Sequence, residues 1–453
     1  MRFAHYTIRR TLSTILAPVA FAACMSSENK TADSAAGTTA LADTTLPKCS
    51  GDNAGLTLPA GICASVFADS VGHARHVVVA SNGDVYTTLE GTNPSPTAPP
   101  PTASVVALRD TTRDGRADVI ERIGKVGNTG VALANGYLYV DEGANIVRYK
   151  RGDTELVPSG AREVIVQGIP MKPGHRARNI AVGNDGSLYL NVGSATNSCQ
   201  KRDRTNESPG NDPCTELNTR AGIWKFDANK TGQTFAPGAR FATGIRNGMG
   251  MTIRTTDGAL FVTQHGRDQL HDNWPTQFPT TQYGAENPGE ELLQVNQGDD
   301  FGWPYCYYAV DEKKLVTAPE YGGDGKKTDR CVEKKGPVAV FPGHWAPMSV
   351  LFYTGTMLPS KYQDGVFIAF HGSWNRAPEP QAGYRVVFQP MANAQANGAY
   401  ETFANGFAEL PPEAIQPDRA KHRPVGLAQG PDGALYITDD AGGRIYRITR
   451  AGK

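Results

Sequence analysis

The chain has 453 residues, of which 39% are hydrophobic and 20% charged, so it can bury a large core and global disorder is excluded. Its 45 basic and 45 acidic residues cancel, which gives no support to nucleic-acid binding, because that function requires a basic face. The 50 glycines and 31 prolines favour many short strands joined by tight turns over long helices.

The first residues are typical of an export signal. Basic residues open the chain, and the apolar run 11–23 is too short to span a bilayer. The run FAAC resembles a lipoprotein processing site, so we predict a signal peptide over 1–23, lipidation of Cys24 and a flexible tether over 24–47. Ordinary signal cleavage just before that cysteine is the alternative, and the pair Arg9-Arg10 leaves a twin-arginine signal open.

Six further cysteines agree with export. They fall into three pairs that are close in sequence, Cys49 with Cys63, Cys199 with Cys214, and Cys306 with Cys331. Many connectivities are possible, but pairing of nearest neighbours is favoured because each pair brackets one loop-rich segment. No pair has the CxxC spacing of a metal site. The cysteines therefore predict an oxidising compartment, the periplasm or the cell exterior.

One pattern occurs six times along the chain: an apolar strand, a turn centred on NG or DG, and a second alternating strand. The copies begin at Arg75, Thr129, Arg178, Arg246, Ala346 and Arg423. Such turns need positive φ and are strong hairpin signals. Two insertions, 197–218 and 271–342, lengthen the repeat. Such insertions often lie on the face of a repeat scaffold that carries the functional site.

These repeats predict an all-β fold, a six-bladed β-propeller with disulfide-containing loop insertions. A TIM barrel would need helical periodicity between the strands, and a β-helix would need a much shorter repeat. Residues 53–68 are expected to add a strand that helps to close the ring. We expect the propeller to be one domain that covers residues 48–453.

Polar side chains flank the first strand of most repeats. Propellers bind ligands on their axis, where the ends of the inner strands converge, so these side chains are expected to ring one opening. They are Arg75, His76, Asn128, His175, Arg178, Arg246, Asn247, His344, Trp345 and Arg423. Each alone is compatible with a structural role. Together they predict an anionic or strongly polar ligand, because the arginine fork suits carboxylates.

The loop 263–270 (TQHGRDQL) follows an inner strand and opens the larger insertion. Its backbone carbonyls are suited to a hard cation such as calcium, although a plain loop is equally compatible. The acidic runs 289–291 and 299–300 are either further cation ligands or solvated. The segment 110–119 lacks the distal glutamate of a calcium loop and is interpreted as a hairpin turn.

Six motifs in a fixed order resemble those of the soluble quinoprotein sugar dehydrogenases, and above all the L-sorbosone dehydrogenase branch, which is related to soluble glucose dehydrogenase. The motifs are GHRARNIAVGNDGSLYLNVGS, GIRNGMGM, QHGRD, GEELLQVNQGDDFGWP, FHGSWNR and RPVGLAQGPDGALYITDDAGGRIYRI. The resemblance spans about 54–450. It implies a six-bladed propeller that carries pyrroloquinoline quinone (PQQ) over calcium on its axis. It also implies oxidation of an aldose or a related sugar aldehyde or hemiacetal.

The resemblance assigns roles to several residues. His175 matches the general base, and the pair Arg246 and Asn247 matches residues that contact the quinone. The backbone carbonyls of Gly266 and Arg267 match the calcium ligands. These five residues are therefore the expected centre of the site.

Further residues are assigned to the cofactor. Asn128 matches an amide that contacts PQQ, and Arg423 fits a carboxylate-binding arginine. The cofactor-binding lysine of glucose dehydrogenase has no match near FHGSWNR, where His371 or Arg376 is the expected substitute. Gly174 stands where glucose dehydrogenase has an acid, which leaves the orientation of the neighbouring base and the sugar specificity open.

The implied chemistry is hydride transfer from the sugar to PQQ. His175, neutral near pH 7, accepts the hydroxyl proton, while calcium and Arg246 polarise the quinone carbonyl. The expected partners are a small sugar or aldehyde and an electron acceptor, a quinone or a cytochrome, with no nucleic acid and with membrane contact only through Cys24. The alternatives are a metal-dependent propeller lactonase or hydrolase, which needs axial carboxylates, and a non-catalytic binding module.

Overall fold

The computed structural model describes residues 51–90, 103–124, 127–363 and 365–451. These residues belong to one compact unit, Thr45–Lys453. The predicted signal peptide, the tether, Cys24 and Cys49 lie outside the described residues. Over the described ranges, no helix combines the length and the apolar character that crossing a bilayer requires.

Strands dominate the described part of the chain. The strands of the first half are β1 (Ile62–Ala68), β2 (Ala74–Val79), β3 (Val85–Leu89), β4 (Val105–Arg109), β5 (Val119–Ile123), β6 (Val131–Ala134), β7 (Tyr137–Asp141), β8 (Asn145–Lys150), β9 (Arg162–Gln167), β10 (Ile180–Val182), β11 (Ser187–Val192), β12 (Gly222–Asp227), β13 (Gln233–Thr234) and β14 (Arg240–Thr243). Those of the second half are β15 (Gly248–Ile253), β16 (Leu260–Gln264), β17 (Glu290–Val295), β18 (Cys306–Ala309), β19 (Lys314–Thr317), β20 (Ala339–Phe341), β21 (Pro347–Phe352), β22 (Gly365–Phe370), β23 (Arg385–Ala392), β24 (Gln395–Ala396), β25 (Glu401–Ala404), β26 (Pro424–Gln429), β27 (Leu435–Asp439) and β28 (Ile445–Arg450).

Helical structure in the described residues is short. The α-helices are α1 (Leu270–Asn273) and α2 (Thr281–Glu286), and turns of 3-10 helix lie at Asn53–Gly55, Thr215–Asn218, Pro237–Ala239, Pro319–Tyr321, Asp329–Cys331, Ser360–Gln363 and Pro412–Ala414.

The strands build six blades in chain order, which confirms the six-bladed β-propeller. From the axis outward, the first blade is β2 to β5 and the second is β6 to β9, with β13 added in parallel on β9. The third is β10, β11, β12 and β14, and the fourth is β15, β16, β17 and β20. The fifth is β21, β22 and β23, with β24 and β25 both on β23, and the sixth is β26, β27, β28 and β1.

The turn chemistry of the repeats explains the hairpins. Asn135 and Gly136 link β6 to β7 with φ of 52° and 76°. Positive φ at both central residues gives the turn whose twist matches that of the flanking strands. The apolar faces of neighbouring blades then pack on one another. Val105 of the first blade, for example, lies in one buried cluster with Leu138 and Val140 of the second.

The ring is closed by the first strand. β1 pairs in antiparallel fashion with β28, with Ile62 opposite Arg450, so it is the outermost strand of the last blade. The segment 53–68 therefore supplies the closing strand that the sequence predicts. Phe67 is 2% exposed, and its ring meets that of Tyr436 edge-on at 5.2 Å.

Both insertions carry the predicted disulfides, Cys199–Cys214 and Cys306–Cys331. The larger insertion contains α1, α2 and the hairpin β18–β19, and it has a small apolar core of its own. Ser198 of the first insertion donates to Glu320 of the second over 3.0 Å, so the two insertions support each other.

We predict that Phe67→Ala lowers the free energy of unfolding by about 3–5 kcal/mol, because it opens a cavity at the closing strand. Val66→Ala on the same strand is the control, and since Val66 is only half-buried its cost is about 1 kcal/mol. Denaturant unfolding followed by circular dichroism measures both. Equal losses for the two variants would contradict a tightly packed closing strand.

Candidate functional site

A cavity of about 410 Å³ opens on the axis at the ends of the inner strands. Its lining draws on five of the six blades, the second blade being the exception among the described residues. Charged and titratable groups dominate it: Arg75, Arg204, Arg246, Arg423, His175, His265, His344, His371, Glu90, Asp268 and Glu290. Met249 and Met348 also line it and pack on Val425, so they give the cavity an apolar floor.

A second cavity, of about 430 Å³, lies along the inner strands of all six blades. Its described lining is mostly aliphatic and contains His76 but no guanidinium and no carboxylate. Because acid–base and charge chemistry need such groups, the first cavity, here called the axial cavity, is the candidate site.

Eight of the residues predicted from the sequence line the axial cavity: Arg75, His175, Arg246, Asn247, Gly266, His344, His371 and Arg423. His76 lines the second cavity instead, Arg178 donates to the carbonyl oxygen of Gly143, and Trp345 packs in an apolar cluster. Asn128, Arg267 and Arg376 do not line the axial cavity either. Most of the predicted positions at the starts of the inner strands therefore converge, as expected for a propeller.

Ser194 holds the His175 ring. Nδ1 of the ring lies 3.1 Å from both the carbonyl oxygen and the hydroxyl oxygen of Ser194. A carbonyl oxygen only accepts hydrogen bonds, so Nδ1 carries the proton and Nε2 is left as a proton acceptor. Burial, with a smaller contribution from Arg246, lowers the pKa of His175 to about 3. The imidazole is therefore neutral near pH 7.

The backbone geometry explains why a glycine precedes His175. Gly174 has φ of 88°, and a Cβ built on it would lie 2.3 Å from the carbonyl oxygen of Ser194. No side chain, and therefore no acid, fits at this position. The orientation that an acidic neighbour would give to His175 comes instead from the Ser194 backbone and hydroxyl.

The Arg246 guanidinium is buried and fully engaged. It donates to Asn197 through Nε and Nη2, each over 3.0 Å, and to the carbonyl oxygen of Gly266 through Nη1 over 2.7 Å. Nη2 also lies 2.9 Å from Oδ2 of Asp268. These contacts fix the plane of the guanidinium against the wall of the axial cavity.

Asp268 connects several loops. Its Oδ2 also accepts from Arg204 of the first insertion over 2.6 Å, and its Oδ1 accepts from Asn375 over 2.8 Å. Burial by itself raises the pKa of Asp268, but Arg246 and Arg204 outweigh it and lower this pKa well below its usual range. The carboxylate is therefore charged, and two guanidinium groups share it.

Glu290 accepts a hydrogen bond from the backbone of the predicted calcium loop. Its two oxygens accept from the backbone N–H of Gly266 over 3.0 Å and of Ala346 over 3.1 Å. Burial raises the pKa of Glu290 to about 7. The Gly266 backbone passes so close to Pro288 that a Cβ would lie 2.6 Å from its ring. The loop can therefore approach the axial cavity only with glycine there.

The remaining lining residues leave polar atoms without partners. Oδ1 of Asn247 and Nε of Arg75 are buried and have no hydrogen-bond partner among the described residues. Arg423 donates to the carbonyl oxygens of His371 and Gly372, and His371 contacts Asp440 over 2.8 Å. The unpaired atoms mark the axial cavity as a site for a polar ligand.

The predicted cofactor and metal ligands outside the lining have partners elsewhere. Asn128 donates to Asp141 and to the carbonyl oxygen of Arg176, each over 2.7 Å. The Arg267 side chain forms a buried ion pair with Glu320 in the larger insertion, which leaves only its backbone available as the predicted ligand.

Arg376 is likewise engaged away from the axial cavity. Its guanidinium donates to the carbonyl oxygens of Ala285, Gly343 and Pro380 and to the carboxylate of Glu286. A contact between Arg376 and the cofactor stays a prediction that these hydrogen bonds do not favour, and His371 is the better placed of the two candidates.

Several residues that line the axial cavity are not among those predicted from the sequence. Asp268 follows the predicted Gly266-Arg267 pair directly, and Glu290 lies in a run interpreted as either ligating or solvated, whereas its side chain is buried. Arg204 comes from the first insertion and Trp374 from the FHGSWNR motif. The one indication in the sequence is that these residues lie near others that are predicted to belong to the site.

The sequence and the fold are similar to those of known proteins. Residues 56–451 match the family model described as TrAA12-like. A pyrroloquinoline quinone-dependent pyranose dehydrogenase of Coprinopsis cinerea is 26% identical over 275 residues, which cover 51% of this chain and 35% of that protein. The chain spans less than half the length of the curated relatives it matches.

Solved structures share the fold. The holo form of the PQQ domain of the Coprinopsis cinerea pyranose dehydrogenase superposes with a TM-score of 0.69 at 18% identity, over 87% of this chain and 97% of that one. The calcium structure of the Trichoderma reesei carbohydrate-active enzyme of family AA12 superposes with a TM-score of 0.70 at 18% identity, over the same shares of the two chains.

We predict that Asp268→Asn lowers the free energy of unfolding by about 3–5 kcal/mol, because it leaves the guanidinium of Arg246 buried without a counter-charge. Asp257→Asn is the matched control, since Asp257 pairs with Arg254 at the surface and such pairs contribute about 1 kcal/mol or less. Denaturant unfolding measures both. Similar losses would show that Asp268 does not hold the site together.

Proposed function

The chain belongs to the TrAA12-like family, and on that premise we propose that it is a PQQ- and calcium-dependent oxidoreductase that acts on an aldose or a related sugar aldehyde or hemiacetal. The Coprinopsis relative and the PQQ-containing and calcium-containing neighbours support this proposal. The observation of this chain that carries it is the axial cavity, where the neutral imidazole of His175 and the fixed guanidinium of Arg246 line one space.

The lining fits PQQ. This cofactor is flat and carries three carboxylates, and four arginines line the axial cavity. The buried Nε of Arg75 and Oδ1 of Asn247 have no partner among the described residues, as expected for atoms that contact a ligand. The volume of about 410 Å³ lies within the usual range of small-ligand pockets.

The loop at Gly266 fits calcium. A carbonyl oxygen has two lone pairs, so that of Gly266 can accept from Arg246 and still ligate a hard cation. Glu290 accepts from the N–H of Gly266, and Asp268 accepts from Arg246, so both carboxylates lie near this loop. The charged carboxylate of Asp268 favours a cation there, and binding of a cation would favour the ionised form of Glu290 as well.

When bound, PQQ supplies the quinone carbonyl that takes hydride from the sugar. The residues of this chain supply the proton acceptor and the positive charge. His175 accepts the proton of the substrate hydroxyl at Nε2, which its contact with Ser194 leaves unprotonated. Arg246 holds a positive charge at the wall, where it stabilises negative charge that develops on a neighbouring oxygen. Met249 and Met348 add an apolar surface to the otherwise polar lining.

A metal-dependent hydrolase receives less support. Three carboxylates line the axial cavity, which is more than the sequence predicts, but each of them already contacts other groups of the protein. Both oxygens of Asp268 and both of Glu290 accept hydrogen bonds from the protein, and Glu90 lies 3.5 Å from Arg75. A hydrolytic metal centre needs carboxylates that are free to bind the metal.

The cellular setting remains a proposal from the sequence. We propose export through the signal over 1–23, lipid attachment at Cys24, and transfer of electrons to a quinone or a cytochrome. The buried disulfides are compatible with an oxidising compartment.

Removal of the cofactors tests the proposed function. Protein treated with a chelator and dialysed should show no dye-linked sugar oxidation, and PQQ with calcium should restore it, whereas either alone should not. Gel filtration followed by absorbance spectroscopy measures retained PQQ. If PQQ with calcium never remains on the protein, the proposed function is wrong.

Replacement of the base gives a second test. His175→Gln should lower kcat by about 10²- to 10⁴-fold while PQQ remains bound, because it removes only the proton acceptor. In the wild type the base is neutral above its pKa of about 3, so kcat/KM should not fall near the ordinary pKa of histidine as the pH decreases. His271→Gln, on α1 and outside the axial cavity, is the control and should keep its activity. Full activity of His175→Gln would assign proton removal to another group.

A further inference from the structure

We propose that the indole of Trp374 is the platform on which the pyranose ring of the substrate rests, so that the site selects ring-closed sugars over open-chain aldehydes. This inference rests on the proposed function and deepens it by naming the substrate class.

The exposure of Trp374 is unusual for this chain. Its side chain is 57% exposed, whereas the other four tryptophans, Trp224, Trp274, Trp303 and Trp345, are at most 7% exposed. An indole left in water forgoes the free energy that its burial would contribute. Trp374 lines the axial cavity, so the exposed ring faces the place where a substrate enters.

The residues on both sides of Trp374 are anchored by hydrogen bonds. Ser373 donates through its hydroxyl to Gln381 over 2.6 Å and through its N–H to the carbonyl oxygen of Ala382 over 2.8 Å. Asn375 donates to Asp268 over 2.8 Å. The loop that carries Trp374 is therefore held at both neighbours of the indole, and a preordered loop loses less entropy on binding.

The same anchor connects the platform to the polar part of the site. The carboxylate of Asp268 contacts Asn375 through Oδ1 and Arg246 through Oδ2. The position of the indole is therefore set relative to the guanidinium that lines the wall. A sugar resting on Trp374 keeps its hydroxyls within the polar lining to which His175 belongs.

The chemistry of the substrate explains the selectivity. A pyranose ring presents a face of C–H groups, which packs on the electron-rich face of an aromatic ring. A short open-chain aldehyde has no such face and gains nothing from the indole. Both kinds of molecule can reach His175, so the platform separates them by binding and not by the chemical step.

Steady-state kinetics of PQQ- and calcium-loaded protein test the selectivity. Trp374→Ala should raise KM for glucose and other pyranoses about fivefold or more with kcat little changed, and should change kcat/KM for glyceraldehyde less than about twofold. Trp374→Phe should restore most of the lost affinity, because it keeps an aromatic face. Val332→Ala is the matched control, since Val332 is 73% exposed on the larger insertion and does not line the axial cavity. Equal losses for pyranoses and glyceraldehyde would overturn the inference.

Fluorescence quenching tests the platform without turnover. Iodide should quench mainly Trp374, since the other four tryptophans are buried, and Trp374→Phe should abolish that quenchable fraction. Methyl β-glucopyranoside, whose anomeric carbon cannot be oxidised to a lactone, should protect the wild type from iodide. The titration is done on PQQ-free and on PQQ- and calcium-loaded protein.

The outcomes separate this inference from the proposed function. Protection by the glycoside in either form supports the platform, even if PQQ does not bind and the proposed function fails. Protection by PQQ with calcium, with no effect of the glycoside on either form, would show that the indole covers the cofactor and would overturn the inference. Absence of protection by the glycoside in both forms would overturn it as well.

Discussion

The ion pair between Asp268 and Arg246 is the contact on which the candidate site depends. One carboxylate joins the start of the fourth blade to the first insertion through Arg204, and to the loop between β22 and β23 of the fifth blade through Asn375. Arg246 and Arg204 share this carboxylate, and the Arg246 side chain is buried whereas that of Arg204 is partly exposed to solvent. A buried guanidinium is tolerated in a low-dielectric interior only with such a counter-charge, so the position of Arg246 depends on that of Asp268.

The blades could be predicted because their signals are local. A turn such as Asn135-Gly136 specifies its own hairpin, and six such units in a row leave few alternatives to a propeller. The same regularity brings His175, Arg246 and Arg423 to one opening, since each stands just before or at the start of an inner strand. The expected positions of these residues are therefore a property of the repeat.

The residues that differ from expectation depend on contacts distant in sequence. Arg267 and Arg376 turn away because Glu320 and Glu286, both in the larger insertion, hold their guanidinium groups. The sequence does not reveal which carboxylate lies within reach of which arginine. Ser194 likewise orients His175 through a backbone carbonyl, a partner that no comparison of side-chain identities can detect.

Ring closure by β1 also affects the order in which the chain folds. Each of the first five blades is built mainly from strands that are close in sequence, so each can form through local contacts. The sixth blade joins Ile62–Ala68 to Ile445–Arg450, so β1 has no partner until the last strand is available. An unpaired strand exposes backbone donors and acceptors to other chains. The first strand is therefore open to pairing with another chain until the last strand is in place.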